Sequence, residues 1–252
     1  MSLLATQDLT IRFGGHVAVN NVTCAFEPGT LTAIVGPNGA GKTTYFNLIS
    51  GQLKATSGRV SLDGRDLSGL SPSARTRAGL GRAFQLTNLF PNLTVLENVR
   101  LAVQATRDGA HRRGLNLWSI WSDHGALTQR AQEILDAVSM TDRQQATVAS
   151  LPHGDQRKLE VALLMALESS VFMFDEPTAG MSQSETLRFL ELIKNLTLHK
   201  TLLLVEHDMN VVFGLADKIA VLVYGALIAF DTPAAIRANP QVQAAYLGDF
   251  AP

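Results

Sequence analysis

Residues 36–44 read GPNGAGKTT and stand between a run typical of a buried strand, GTLTAIV, and a run typical of a helix, YFNLIS. The stretch fits the pattern G-x-x-x-x-G-K-[ST]. Glycines in this pattern let successive backbone N–H groups face phosphate oxygens, and the start of the following helix adds a partial positive charge. The sequence therefore predicts a phosphate-binding loop between a strand and a helix, as found in α/β proteins.

The side chains of this loop have distinct expected roles. The Lys42 ammonium would neutralise the β- and γ-phosphates of a nucleotide, and the Thr43 hydroxyl would ligate Mg²⁺. The motif alone fits kinases, GTPases, helicases and transporters equally well. The expected nucleotide-binding residues in the loop are Gly36, Pro37, Asn38, Gly39, Ala40, Gly41, Lys42, Thr43 and Thr44.

Two acids, Asp175 and Glu176, end the apolar run VFMF. An acid at the C-terminal end of a buried strand commonly holds Mg²⁺ in this kind of protein. The neighbouring Glu176 is placed to polarise an attacking water. Alternatively, one of the acids caps the helix that follows DEPTAG. The metal and hydrolysis roles are favoured, because capping accounts for only one acid of the pair.

His207 follows another apolar run, LLLV, and is predicted to lie at the same sheet edge as the phosphate loop. A single histidine is more often structural than catalytic. Its expected position nevertheless allows a contact with the γ-phosphate. Spacing alone supports a structural and a catalytic role for His207 equally.

The order of elements suggests an α/β core with an inserted helical lobe. Residues 1–30 alternate short β-prone runs with turns, which predicts an antiparallel meander, and Asp63-Gly64 predicts a hairpin turn. Residues 95–170 carry apolar residues at helical spacing. Strands then alternate with helices, and KIAVLVYGALIAF is typical of a terminal hairpin that precedes two short helices.

Composition argues against several classes of protein. The formal net charge is −1 and no long basic run occurs, which argues against a dedicated nucleic-acid binder. The one cysteine, Cys24, can form no disulfide within the chain and is expected to be a small buried residue. No signal-peptide pattern is seen, and the apolar run at residues 219–230 is shorter than the ~20 residues that span a bilayer. We expect any membrane role to come through a partner.

Together these motifs resemble an ABC-transporter ATPase over roughly residues 4–249, in the family's order. The resemblance identifies GPNGAGKT as Walker A, VFMFDE as Walker B, AGMSQ from Ala179 as the D-loop and His207 as the switch histidine. It matches Gln85 to the Q-loop glutamine, which contacts Mg²⁺ and the transmembrane partner, and Phe13 to the aromatic ring that stacks on adenine. The signature segment, usually L-S-G-G-Q, matches Leu151, Pro152, His153, Gly154, Asp155 and Gln156.

The sequence is most similar to the ATPases of importers for branched-chain or other hydrophobic amino acids, on stretches such as FQLTNLFPNLTVLENV and IRANPQVQAAYLG. Urea and short-chain amide importers use closely related ATPases, and a lipid exporter is a further alternative. The resemblance implies a second ATPase chain, often a different one, beneath two membrane permease subunits, with a periplasmic or extracellular solute-binding protein. Such an ATPase works at the cytoplasmic face of the membrane.

A rival from another class is a soluble ABC ATPase of DNA repair or of the ribosome. The repair proteins carry a long coiled coil between Walker A and the signature, and the segment between Lys42 and Leu151 is too short for one. The ribosome-associated factors normally carry two cassettes in one chain, and this chain has one. Transport is therefore the preferred interpretation.

The resemblance implies a P-loop NTPase core with an antiparallel β subdomain and an inserted helical subdomain. The helical part is expected at about residues 95–164, and the core at about 1–94 and 165–252. ATP would lie between Walker A of one subunit and the signature of the other. The expected catalytic residues are Lys42, Gln85, Glu176 and His207, and the expected Mg²⁺ ligands are Thr43, Gln85 and Asp175.

Two positions depart from the family pattern. Pro152-His153 replaces the usual Ser-Gly, whose serine donates a hydroxyl to the γ-phosphate of ATP on the opposite subunit. Pro152 cannot donate, Gly154 still offers a backbone N–H, and His153 either supplies a donor or faces solvent. The D-loop has Ser182 where Asp is common. We expect this chain's own acids to be intact and its contribution to a partner's site to be altered.

Overall fold

A computed structural model of the chain describes residues 4–83, 89–110, 124–196 and 200–245. The backbone divides into two compact units. The core unit comprises Met1–Arg82, Ser170–Pro177 and Thr197–Pro252. The helical unit comprises Ala83–Ser169 and Thr178–Leu196. The helical unit thus has a second segment, residues 178–196. The subdomain limits expected from the sequence, about residues 95–164, stay a prediction.

The centre of the core unit is a six-stranded sheet in the order β10-β9-β3-β8-β7-β6. Its strands are β3 (Leu31–Val35), β6 (Leu80–Arg82), β7 (Val171–Asp175), β8 (Thr201–Val205), β9 (Lys218–Val223) and β10 (Ala226–Asp231). Neighbouring strands are parallel except for the pair of β9 and β10. All residues of β3, β7 and β8 are buried, which confirms the prediction from their uninterrupted apolar runs.

A second sheet in the core unit is antiparallel and has the order β2-β1-β4-β5. Its strands are β1 (Leu4–Phe13), β2 (His16–Phe26), β4 (Ser57–Leu62) and β5 (Arg65–Asp66). The predicted hairpin is confirmed, and so is the antiparallel pairing of residues 1–30, although these residues form two long strands rather than a meander of short ones. Asp63 and Gly64 form the hairpin turn with φ angles of 50° and 78°, the left-handed conformation that such a tight turn requires.

The helices of the core unit are α1 (Lys42–Ser50), α2 (Pro72–Arg77), α7 (Met209–Leu215), α8 (Pro233–Ala238) and α9 (Pro240–Ala245). Helix α1 ends before Gly51, because Gly51 adopts the left-handed conformation that closes many helices. The short elements α2, α7 and β6 were not predicted. They are too short to show a clear hydrophobic period.

The helical unit contains α3 (Val95–Ala110), α4 (His124–Ala137), α5 (His153–Ala166) and α6 (Gln183–Leu196) among the described residues. Helices α3, α4 and α5 were expected from apolar residues at helical spacing, and α6 from the alternation of strands with helices. Helices α3, α4 and α5 pack against one another and bury residues such as Val99, Leu135 and Leu159. In the described part of the chain, no helix is both long enough and apolar enough to cross a membrane.

Candidate functional site

Three parallel strands bring the predicted phosphate loop and the predicted acids to one edge of the six-stranded sheet. Ile34 of β3 pairs with Val205 of β8, and Val205 pairs with Asp175 of β7. The segments that follow these strands therefore leave the sheet side by side. Ligand sites in open parallel sheets lie at this carboxyl edge.

The phosphate loop packs so closely against its neighbours that two positions exclude a side chain. A Cβ atom on Gly36 would lie 2.1 Å from the carbonyl oxygen of Leu222 in β9. A Cβ atom on Gly41 would lie 2.4 Å from the carbonyl oxygen of Ala18, and Gly41 has a φ of 93°. The turn after β9 supports the loop as well, because the Gly225 N–H donates to Ala40 O at 3.0 Å.

The start of α1 leaves backbone donors available. Gly41 is the N-cap and provides no side-chain cap, and the first turn holds no acid. Among the described residues, no hydrogen bond takes up the N–H groups of Lys42, Thr43 and Thr44. These groups and the positive end of the helix dipole suit an anion such as a phosphate.

The Lys42 ammonium lies inside the loop. Its Nζ donates to Gly36 O at 2.6 Å and to Pro37 O at 3.1 Å. Burial lowers the pKa of Lys42, and the negative charges of Glu176 and Asp175 oppose that shift. The predicted lysine and the predicted acids therefore share one electrostatic environment.

Asp175 is the buried carboxylate of this edge, with 4% of its surface exposed. Its Oδ2 accepts from Arg82 Nη2 at 3.3 Å, whereas its Oδ1 has no hydrogen-bond partner among the described residues. Burial raises the pKa of Asp175 and Glu176 adds to the rise, while Arg82 and Lys42 lower it. A buried carboxylate oxygen without a partner is a natural ligand for a hard cation.

The residues present fit Mg²⁺. This ion commonly binds through one or two carboxylates together with substrate phosphates. Asp175 supplies the carboxylate, and the Thr43 side chain is exposed at the start of α1. Among the described residues, no group of three or more His, Cys, Asp or Glu side chains could hold a metal ion. The third expected ligand, Gln85, lies outside the described residues.

Glu176 takes an unusual backbone conformation, with a φ of 47°. Its N–H donates to Val205 O at 2.9 Å, so the chain leaves β7 while still bonded to β8. A left-handed conformation at a residue other than glycine costs of order 1–3 kcal/mol and often marks a functional site. The half-buried Glu176 is thus held beside Asp175 without continuing the strand.

His207 lies at the same edge, as predicted, with 66% of its side chain exposed. The preceding Glu206, which was not among the predicted site residues, is 1% exposed. Its Oε2 accepts from the His207 N–H at 3.3 Å and lies 3.8 Å from His207 Nδ1. A buried acid after an apolar strand was the available signal for Glu206.

Phe13 ends β1 in the core unit and is 51% exposed. It pairs with His16 across the hairpin, on the strand that carries Ala18 beside Gly41. An exposed aromatic ring on this hairpin is available for stacking. Its contact with adenine stays a prediction.

In the helical unit, Pro152 is the N-cap of α5 and makes no side-chain cap. His153 and Gly154 are exposed, and Asp155 and Gln156 are half-buried. The N–H groups of Asp155 and Gln156 donate to Pro152 O. Gln156 Nε2 donates to the carbonyl oxygen of the buried Leu151 at 3.0 Å. The predicted signature residues therefore form a helix start at which His153 and Gly154 are exposed and their N–H groups have no hydrogen-bond partner among the described residues.

Ser182 precedes α6 and is bonded to Glu185 in the first turn, which is the glutamate half of a capping box. The carboxylate of Glu185 accepts from the Ser182 hydroxyl at 2.6 Å and from the Ser182 N–H at 2.9 Å, and these bonds lower the pKa of Glu185. Ser182 thus has a local structural role. An ionised aspartate at position 182 could not donate to Glu185 in this way, so this bond depends on the serine hydroxyl.

Comparison with known proteins identifies the family. The family sequence model described as ABC transporter matches residues 19–179, and the one described as branched-chain amino acid ATP-binding cassette transporter matches residues 226–251. The chain is 39% identical over 250 residues to the high-affinity branched-chain amino acid transport ATP-binding protein LivG of Escherichia coli, which covers 98% of each chain.

Solved structures agree with the sequence matches. An ATP-binding cassette of an ABC transporter in its ADP conformation has a TM-score of 0.83 and 25% identity, over 99% of this chain and 100% of that one. A dimeric ATP-binding cassette in a post-hydrolysis state, bound to ADP and phosphate, has a TM-score of 0.74 and 25% identity, over 91% and 98% of the two chains. The predicted fold class is confirmed, and the chain is an ATPase of the ABC transporter family.

Proposed function

We propose that this chain binds and hydrolyses MgATP to drive the uptake of branched-chain or other hydrophobic amino acids. The observation that carries the proposal is the meeting of phosphate loop and acids at one sheet edge, where Lys42 is attracted to both Glu176 and Asp175. The solute class is supported by the likeness to LivG and by the match of the C-terminal segment.

The phosphates of ATP would be held by the amides at the start of α1 and by Lys42. The Lys42 ammonium would exchange its bonds to Gly36 O and Pro37 O for phosphate oxygens. Adenine would stack on the exposed ring of Phe13. These contacts position the nucleotide, which is the main requirement for phosphoryl transfer.

Asp175, Thr43 and Gln85 would hold Mg²⁺. The bound ion supplies neutralising charge for the β- and γ-phosphates. Asp175 is suited to this role because its Oδ1 has no hydrogen-bond partner in the described part of the chain. The Arg82 guanidinium counters the cost of burying this carboxylate before any ligand binds.

Hydrolysis requires that a water oxygen form a bond to the γ-phosphorus while the bond to the leaving ADP oxygen breaks. Glu176 would orient this water and accept its proton. His207 would donate to the γ-phosphoryl oxygens through the ring nitrogen that does not face Glu206. Lys42 stabilises charge on the same group.

A second ATPase chain would complete the site, because the signature residues at the start of α5 would serve the ATP bound to the partner. The dimeric cassette among the similar structures supports this arrangement. Two permease subunits would hold the ATPase pair at the cytoplasmic face of the membrane, and a solute-binding protein would deliver the amino acid. No nucleic-acid partner is proposed, because the chain carries a net charge of −1.

The test is uptake of labelled leucine and labelled urea by cells that lack this gene. Wild-type protein and the exposed control variant Glu133→Gln should restore leucine uptake, and Glu176→Gln should not. Restored urea uptake without leucine uptake would replace the amino-acid assignment by the amide assignment. Uptake that is independent of Glu176 would contradict the proposed ATPase role of this residue.

A further inference from the structure

Arg82 ends β6 and joins Walker B to the helix that follows the phosphate loop. Its Nη1 donates to Asn47 Oδ1 at 2.6 Å and to Ser50 Oγ at 2.7 Å, both on α1. Its Nη2 donates to Asp175 Oδ2 at 3.3 Å. The guanidinium carbon lies 4.8 Å from the centroid of the Phe46 ring, also on α1, and the Arg82 side chain is 10% exposed.

This geometry fixes the orientation of Asp175. The guanidinium is planar, so bonds to α1 on one side set the direction of the bond on the other. Its contact with Oδ2 leaves Oδ1 as the carboxylate oxygen without a protein partner among the described residues. Partners of this kind orient metal ligands in many sites.

The same contacts tie together two elements that both supply expected metal ligands. Thr43 stands in the first turn of α1, and Asp175 ends β7. Arg82 is bonded to α1 one turn beyond Thr43 and to Asp175 itself. A change at Arg82 would therefore alter the spacing of two metal ligands, while leaving the amides of the phosphate loop in place.

We propose that Arg82 is a positioning residue for the Mg²⁺ of MgATP, which it serves by holding Asp175 in its ligating orientation against α1. The proposal rests on the proposed ATPase function. This role differs from a contribution to stability alone. Loss of the Arg82 contacts should weaken the binding of metal with ATP and leave the binding of ATP without metal unchanged.

Three variants test the geometry. Arg82→Met removes the positive charge and the forked guanidinium group but keeps a side chain of similar volume. Arg82→Lys keeps the charge but cannot bond to α1 and Asp175 in the same way. Asn47→Ala loosens the guanidinium without touching Asp175.

Arg75 provides the matched control. It is a second arginine bonded to α1, 3% exposed, and its Nη1 donates to Leu48 O at 2.7 Å and Ile49 O at 2.6 Å. These are backbone carbonyls at the far end of the helix. Arg75→Lys should lower the melting temperature without changing the affinity for the metal.

The measurements are the affinity for ATP in EDTA and the affinity of the ATP complex for Mn²⁺, read by electron paramagnetic resonance, with a melting temperature for each variant. Both Arg82 variants should bind ATP in EDTA as wild type does. They should lose roughly 10–100-fold in Mn²⁺ affinity, the usual effect of removing a residue that orients a ligand. Asn47→Ala should lose less.

The proposal is overturned if Mn²⁺ affinity is unchanged in the folded Arg82 variants, or if ATP affinity falls equally with and without metal. If Arg82→Met does not fold, Arg82→Lys and Asn47→Ala decide by the same criterion. Wild-type protein that binds no Mn²⁺ with ATP would contradict the proposed function itself. If the wild-type protein binds Mn²⁺ with ATP and the Arg82 variants bind it equally well, only the role of Arg82 is contradicted.

Discussion

The phosphate edge of the core unit and the signature start of α5 in the helical unit both offer backbone N–H groups, but they are built differently. At the phosphate edge, Gly36 has no room for a Cβ atom because Leu222 O would lie 2.1 Å away, and Asp175 is 4% exposed. At the signature start, Gly154 has nothing within 4 Å of its Cβ position, and Pro152 is exposed.

The difference indicates that one site is fixed within the chain and the other is left open at its surface. Strand pairing, close backbone packing and the Arg82–Asp175 ion pair hold the phosphate edge. The signature start presents its first amides without side-chain partners. Changes at the phosphate edge should therefore affect the isolated chain, whereas changes at the signature should matter mainly in an assembled ATPase pair.

The largest effect is expected for Glu176→Gln. The variant should bind MgATP and accumulate a closed dimer, because Lys42 and the phosphate loop are intact. Its hydrolysis rate should fall by roughly 10²–10⁴-fold, the usual contribution of a general base. Phosphate release measures the rate, and Glu133→Gln on the exposed face of α4 is the control. Lys42→Ala should instead fail to bind nucleotide, and near-normal turnover by Glu176→Gln would remove this residue from the mechanism.

Gly36→Ala and Gly154→Ala compare the two regions directly. The methyl group on Gly36 would collide with Leu222 O, so the free energy of unfolding should fall by about 3 kcal/mol, the upper part of the usual range for overpacking. The methyl group on Gly154 meets nothing, and alanine favours a helix over glycine by up to ~1 kcal/mol, so α5 should be as stable or more stable. Urea denaturation of both variants gives the comparison. Equal destabilisation would contradict the difference between the regions.

Phe13→Ala should weaken ATP binding by about tenfold or more, because stacking of a base on an aromatic ring is worth roughly 1–3 kcal/mol. Phe13→Tyr preserves the ring and should bind ATP as wild type does. The exposed position of Phe13 predicts little change in melting temperature for either variant. Wild-type affinity in Phe13→Ala would place the aromatic contact elsewhere.

The sequence predicted most of the phosphate edge because its main parts are local. The loop lies between a strand and a helix, and the two acids stand at the end of one uninterrupted apolar strand, so parallel pairing was enough to bring Lys42, Asp175 and Glu176 to the same edge. Non-local backbone contacts were not predictable in this way. The approach of Leu222 O to Gly36 and the bond from Gly225 to Ala40 join segments far apart in the chain.

Arg82 was missed for a related reason. Its strand, β6, is three residues long and shows no alternation, and its partners Asn47, Ser50 and Asp175 come from two other elements. The left-handed conformation of Glu176 was also not predictable. The residues Asp175, Glu176 and Pro177 fit a helix cap in the sequence as well as they fit this conformation. Both features depend on packing that a sequence pattern does not contain.

A heterodimer would make the two ATP sites unequal. This chain would supply intact acids to its own ATP and the altered signature to the ATP of its partner. Glu176→Gln in this chain should then remove most of the hydrolysis of the complex, and the equivalent change in the partner should remove less. Equal losses would show that the two sites are equivalent, and a complex with two copies of this chain would remove the basis of the asymmetry.

The smallest effect is expected for Pro152→Ser. Serine at the N-cap of α5 can accept a backbone N–H and should stabilise the helix by about 1 kcal/mol, because Pro152 provides no side-chain cap. The hydroxyl can also donate to the γ-phosphate of a partner's ATP. A single such donor is worth on the order of 10²-fold in rate, and the exposed Gly154 amide already supplies part of it, so we expect a gain below about tenfold. Pro152→Ala, which has no hydroxyl, is the control and should show neither gain. A higher melting temperature with an unchanged rate in the assembled complex would mean that the hydroxyl only caps α5. Pro152 would then not slow ATP hydrolysis at the partner's site.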